Sequence, residues 1–267
     1  MPASLRFIVW VTFISMAGSA CATSPAATPR SPSTMPVPPT AAAAPTTAAT
    51  PSSPPTPPPL RREIRWVRNS AEYRALASQV YRDAARHLPQ LSKGLAPGTW
   101  GVILDADETV FDNSEYQRRR AVVDSGYTAA SWAVCANERP AGAVPGAVEF
   151  TNTVHTLHGR VAIVTNRAET LCSATRDNLQ ELGIVPDIVL CQPAGENDKN
   201  PRFQRVQSGA AAAGIPPLTI VEWIGDNILD FPGLTQASKG DSTAIANFGQ
   251  RYFLLPNPMY GSWERLP

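Results

Sequence analysis

Residues Gly101 to Tyr116 read GVILDADETVFDNSEY. Gly101 follows Trp100 and is succeeded by Val102, Ile103 and Leu104. A short apolar run of this kind is the pattern of a strand buried on both faces. It then ends in a crowd of acids: Asp105, Asp107 and Glu108. In an open α/β sheet, ligands bind outside the carboxyl ends of the strands. Carboxylates gathered there point to a functional edge.

Similar runs recur along the chain. RVAIVT (160–165), DIVLC (187–191), LTIVEWIGD (218–226) and RYFLLP (251–256) read as further strands. Helical patterns lie between them. From Asn69 the apolar residues Tyr73, Leu76, Ala77, Val80, Tyr81, Ala84, Leu88 and Leu91 recur at helical spacing, with Asn69 and Glu72 as a capping pair. VPGAVEFTNTVHTL (144–157), AETLCSATRDNLQELG (168–183) and PRFQRVQSGAAAAG (201–214) read as helices. Strands alternating with helices predict α/β architecture: a Rossmann-like parallel sheet with helices on both faces. The stretch near 112–143 has no clear regular pattern and is expected to form a small cap inserted after the first strand. The histidines His87, His155 and His158 fall in helical patterns and read as structural.

The first sixty residues differ in kind. Arg6 precedes an apolar run from Phe7 to about Ala17, followed by Gly18, Ser19 and Ala20. That is a secretory signal, expected over 1–20. Cys21 stands where a lipidated cysteine would, although Gly18 replaces the usual leucine; ordinary cleavage after Ala20 is the alternative. Residues 21–60 are mostly Ala, Thr, Pro and Ser and hold many of the chain's 27 prolines. Such a tract cannot bury a core and is expected to be a tether with a reach of about 120 Å if fully extended. The folded domain is expected over 61–267. The reading is an exported outer-membrane lipoprotein facing the periplasm or the cell surface. A net charge of +1 gives no electrostatic basis for binding a nucleic acid polymer.

Polar residues collect at the strand ends. Asp105 and Asp107 follow the first strand, Thr165 and Asn166 the second, and Asp226 the fourth, with Asp230 four later. Lys199 and Arg202 lie between the third and fourth. Several carboxylates together repel unless a cation sits among them, and hard oxygen donors suit Mg²⁺. The lysine and hydroxyl would complete a phosphate site.

These residues carry a family resemblance. DADET, TN, a lysine and GDNILD resemble the haloacid dehalogenase superfamily of phosphohydrolases. LDADETVFDNSEYQ, PGAVEFTN, VTNRAET, NDKNPRFQRV, WIGDN and LPNPMYGSWE look like the class C acid phosphatases. This is the lipoprotein e(P4) group of secreted acid phosphatases and 5′-nucleotidases. The resemblance implies Asp105 as nucleophile and Asp107 as general acid and base. It implies Mg²⁺ held by the Asp105 carboxylate, the Asp107 carbonyl and Asp226, with Asp230 direct or through water. Thr165, Lys199, Asn166 and Arg202 would serve the phosphate. The chain departs from the family at Cys135, where a second cap tryptophan is expected.

Small phosphomonoesters are the expected substrates. Tyr116, Trp132 and Tyr260 are candidate stacking faces, which favours mononucleotides. An exported binder of haem or nucleotide is the alternative, and a homodimer is one assembly open to the chain. Competing phosphatase motifs are missing: no cysteine has arginine six residues on, and there is neither GxSxG nor a Walker lysine. Cys172 and Cys191 belong at one sheet edge, either as a disulfide or as two reduced buried thiols, with Cys135 left over.

Overall fold

Strand β1 (Trp100–Leu104) is buried at every residue. It is flanked in parallel by β4 (Arg160–Ala168) on one side and β6 (Thr219–Gly225) on the other. The approach to β4 is close enough that a Cβ on Gly101 would lie 2.5 Å from the Arg160 carbonyl oxygen. With β5 (Ile188–Gln192) beyond β4 and β7 (Tyr252–Leu254) beyond β6, the order is β5-β4-β1-β6-β7, all parallel. This computed structural model describes residues 59–267. The expected signal, most of the tether, and Cys21 lie outside the described residues.

Both sheet faces are covered, as parallel sheets require. On one face, Val102, Leu104, Val161 and Ile163 pack against Tyr81 and Leu88 of α2 (Ala71–Leu91) and Phe150 and Val154 of α5 (Ala147–Thr156). On the other, Ile103, Ala162, Val164 and Trp223 meet Phe203 and Val206 of α7 (Asn200–Ser208). Helix α6 (Cys172–Glu181) joins β4 to β5. Cys172 and Cys191 form a disulfide with Cα atoms 5.9 Å apart, and Cys135 is a buried free thiol.

Four expectations need correction. A separate helix, α1 (Arg62–Asn69), precedes α2, so the α2 cap is Ser70, whose hydroxyl accepts from Tyr73 N at 3.1 Å. Asn69 is already inside α1. Helix α7 stops at Ser208 because Gly209 takes a left-handed conformation, φ 79°, and the alanines beyond do not continue it. His158 lies past the end of α5 with φ 61°. The insertion is largely helical. It holds α3 (Ser114–Val122) and α4 (Ala129–Glu138). A two-stranded antiparallel ribbon, Phe111–Asp112 (β2) with Gly142–Ala143 (β3), ties its base. Ion pairs of Glu115 with Arg118 and Arg119 support α3 in place of an apolar stripe.

Candidate active site

The carboxyl ends of β1, β4 and β6 converge as their parallel order demands. Asp105 leaves β1 and hydrogen-bonds through its backbone N–H to the Ile224 carbonyl at 3.0 Å. Asp226 follows β6, and Asp230 closes the short helical turn after it. Each of the three offers a carboxylate oxygen within 4.8 Å of the others. Asp230 lies so close to Gly225 that a Cβ there would meet its Cβ at 2.3 Å. Glycine is therefore required where β6 ends.

Lys199 enters from the start of α7. Its Nζ donates to Asp105 Oδ1 at 2.5 Å and to Asp230 Oδ1 at 2.6 Å. Burial alone would lower the lysine, but Asp105 and Asp230 outweigh it and hold the ammonium above its ordinary value. Burial pushes Asp105 up to about 7, against the pull of Lys199, with Asp230 and Asp107 adding to the rise. Burial, then Asp230 and Asp105, raises Asp226 well above the usual carboxylate range. One ammonium thus stands against three carboxylates, of which Asp105 and Asp230 are buried and Asp226 is half-buried. An all-oxygen donor set with unbalanced negative charge fits a hard divalent cation.

Asp107 faces other partners. Its Oδ1 accepts from Arg167 Nε at 2.9 Å, Arg167 Nη2 at 2.7 Å and Asn113 Nδ2 at 2.8 Å. Glu108 lies beneath, buried with φ 54°, and accepts from Asn113 N at 3.0 Å. Burial, then Asp107 and Asp226, raises its carboxyl well above the ordinary value. Asn257 Nδ2 donates to Asp226 Oδ2 at 2.8 Å.

The other expected residues divide. Thr165 is fully buried beside the cluster, its hydroxyl accepting from Arg167 N at 3.1 Å; the hydroxyl proton is left to donate elsewhere. Arg202 is corrected. It is fully buried, donating to the Thr165 carbonyl, to Asn166 Oδ1 at 2.6 Å and to the Asp198 carbonyl at 3.3 Å, and pairing with Glu196 at 2.8 Å. It clamps two loops, and Asn166 is its partner in that clamp. Tyr116 is corrected too. It is 3% exposed, packed edge-on to Trp132 at 5.0 Å and bonded to Ser131, so it serves cap packing. Trp132 and Tyr260 are half-buried. Trp132 lies 5.1 Å from the Arg167 guanidinium.

Arg167, Asn113, Glu108 and Asn257 were missed from sequence. Arg167 had a signal: residues two apart in a strand share a face, so a Thr165 that points at the site brings Arg167 with it. The remaining three sit outside helices and strands, where sequence gives no direction.

A sheet edge carrying these carboxylates, a buried lysine and a small cap defines a phosphohydrolase of the haloacid dehalogenase (HAD) type. Residues 56–263 match the model of the HAD superfamily, subfamily IIIB (acid phosphatase), and the chain belongs to that family. It is similar to the class C acid phosphatase from Bacillus anthracis, at 28% identity and a TM-score of 0.66, over 76% of this chain and 85% of that one. A second structure of that enzyme, with tungstate bound, matches at 29% identity over the same shares, again with a TM-score of 0.66. The chain is accordingly a phosphomonoester hydrolase.

Proposed function

We propose that the protein is an exported, Mg²⁺-dependent phosphatase that works through an aspartyl-phosphate and accepts 5′-mononucleotides. The observation carrying this reading is the triangle of Asp105, Asp226 and Asp230 with Lys199 bonded to two of its members.

In this reading Asp105 attacks phosphorus, and the bond to the leaving oxygen breaks as an Asp105 acyl-phosphate forms. Asp107 gives the leaving oxygen a proton, then takes one from the water that hydrolyses the acyl-phosphate. Lys199 and the Thr165 hydroxyl bind phosphoryl oxygens and offset their charge. Asp105, Asp226, the Asp107 carbonyl and Asp230 would hold the divalent ion. When bound, it neutralises charge on the phosphoryl group. Trp132 and Tyr260 supply aromatic faces for a nucleobase. The signal pattern, the cysteine at 21 and the long tether support export and lipid anchoring. The Cys172–Cys191 disulfide supports an oxidising compartment.

The test is phosphate release from a panel of 5′-mononucleotides and aryl phosphates, after chelation and after Mg²⁺ is restored. Activity should vanish and return, and Asp105→Asn should remain inactive while folded. Turnover above a few per cent in Asp105→Asn, with deamidation excluded, removes the nucleophile assignment. Full activity in a verified metal-free preparation removes the ion. Hydrolysis of aryl phosphates without mononucleotides removes the nucleotidase reading alone.

A further inference from the structure

The bonds around Asp107 are lopsided. Three N–H donors converge on Oδ1: two from Arg167, at 2.9 and 2.7 Å, and one from Asn113, at 2.8 Å. No donor among the described residues reaches Oδ2. A carboxylate oxygen has two lone pairs, so an Oδ1 shared by three donors has no room for a proton. A planar guanidinium fork also resists rotation of the group it holds.

Arg167 is itself immobilised from several sides. Nη1 donates to Thr175 Oγ1 at 3.4 Å and Nη2 to Asn113 Oδ1 at 3.2 Å. The guanidinium lies 4.3 Å from the Phe111 ring and 5.1 Å from the Trp132 ring, both favourable cation–π distances. Phe111 is a fully buried residue of the base ribbon, and Trp132 belongs to cap helix α4. The Arg167 side chain is 1% exposed, and its Nε, Nη1 and Nη2 are all turned to Asp107, Thr175 and Asn113.

We infer that Arg167 is a positioning residue: it saturates Asp107 Oδ1, so that proton transfer to and from the leaving group runs through Oδ2 in a fixed orientation. Trp132 makes the cap one wall of this clamp. The inference rests on the reading of Asp107 as proton donor. The donated proton leaves Oδ2 as the phosphorus–oxygen bond breaks. Without the clamp the carboxyl can turn, and protonated molecules present either oxygen.

A positioning loss has a signature that a packing defect lacks. Good leaving groups need little protonation and poor ones need it fully. The test is kcat/KM for phosphate esters with leaving groups from nitrophenol to simple alcohols, in wild type, Asp107→Asn, Arg167→Met and Arg167→Lys. Inhibition by inorganic phosphate is measured alongside. Asp107→Asn should lose about 10²–10⁴-fold on poor leaving groups and far less on nitrophenyl phosphate. Arg167→Met should follow the same trend at about 10–10²-fold, the scale of a misplaced catalytic group. Phosphate inhibition should be unchanged. Arg167→Lys, which keeps one donor, should fall between, and it carries the comparison alone if Arg167→Met does not fold. Equal losses across leaving groups in the Arg167 variants, or weakened phosphate inhibition, would overturn the positioning role while leaving Asp107 intact. Equal losses in Asp107→Asn would overturn both.

Discussion

Glu222 lies in β6, the strand that delivers Asp226, and is fully buried. Neither carboxyl oxygen has a hydrogen-bond partner. Arg251, the nearby cation, directs Nε to the carbonyl of Val221 at 3.1 Å and Nη2 to that of Ile220 at 2.8 Å, and bonds to neither Glu222 oxygen. Burial therefore dominates and pushes Glu222 from an ordinary 4.5 to about 9, with Arg251 pulling weakly down. The folded protein holds a proton here that the unfolded chain releases above pH 4.5. Stability from this group is complete below that pH, declines as pH rises, and levels off above about 9. Between those limits, each step of one in pH removes about 1.4 kcal/mol. At pH 7 the loss is about 3 kcal/mol, and at pH 5 it is under about 1 kcal/mol.

Glu222→Met removes the titration and keeps an unbranched side chain of similar volume. The difference in unfolding free energy between variant and wild type should grow in favour of the variant from pH 5 to pH 8, by about 1.4 kcal/mol for each tenfold fall in proton concentration. The perturbed active-site carboxylates are common to both proteins and cancel in the difference. Urea unfolding at pH 5, 6, 7 and 8, in chelator throughout, measures it. At pH 7 the melting temperature of the variant should gain about 5–10 °C on wild type relative to the gap at pH 5. Parallel pH curves would refute the reasoning, since they would mean that Glu222 is ionised in the folded state or reaches water.

Gly225→Ala should push the Asp230 carboxyl aside, given the 2.3 Å approach, and raise the Mg²⁺ concentration for half-maximal activity about tenfold or more; an unchanged Mg²⁺ titration would contradict it. Replacing Cys172 and Cys191 together by serine should cost about 3 kcal/mol in the chain-entropy account, for a sequence separation of 19. Urea unfolding with and without dithiothreitol checks it: reductant should weaken wild type and leave the variant unmoved.

The strands could be read because β1, β4 and β6 are buried on both faces and so appear as unbroken apolar runs. That reading also located Asp105, Asp226 and Lys199, since a parallel sheet brings its strand ends together. Side-chain direction within turns and helix starts was not readable. Lys199 and Arg202 are three residues apart at the head of α7, yet one reaches the carboxylates and the other is sealed under the loops. Nothing in NDKNPRF separates them. Helix α1 hid because only Ile64 and Val67 are buried in a span rich in arginine. The cap helices hid for a related reason: α3 buries only Ser114 and Tyr116.

The two aspartates of DADET show how environment divides what sequence leaves equivalent. Two apart at a strand end, they share a side. Asp105 faces an ammonium and two further carboxylates. That suits a nucleophile, because the charge that repels an incoming phosphate is offset by Lys199 and by the cation the cluster favours. Asp107 faces a guanidinium and an amide that occupy one oxygen only. That suits a proton carrier, because one oxygen is fixed while the other stays available. Exchanging the roles would place the attacking oxygen beside Arg167, away from the lysine and the acidic cluster. The proposed division of labour therefore rests on the neighbours that β4 and α7 supply, and not on the DxD pattern itself.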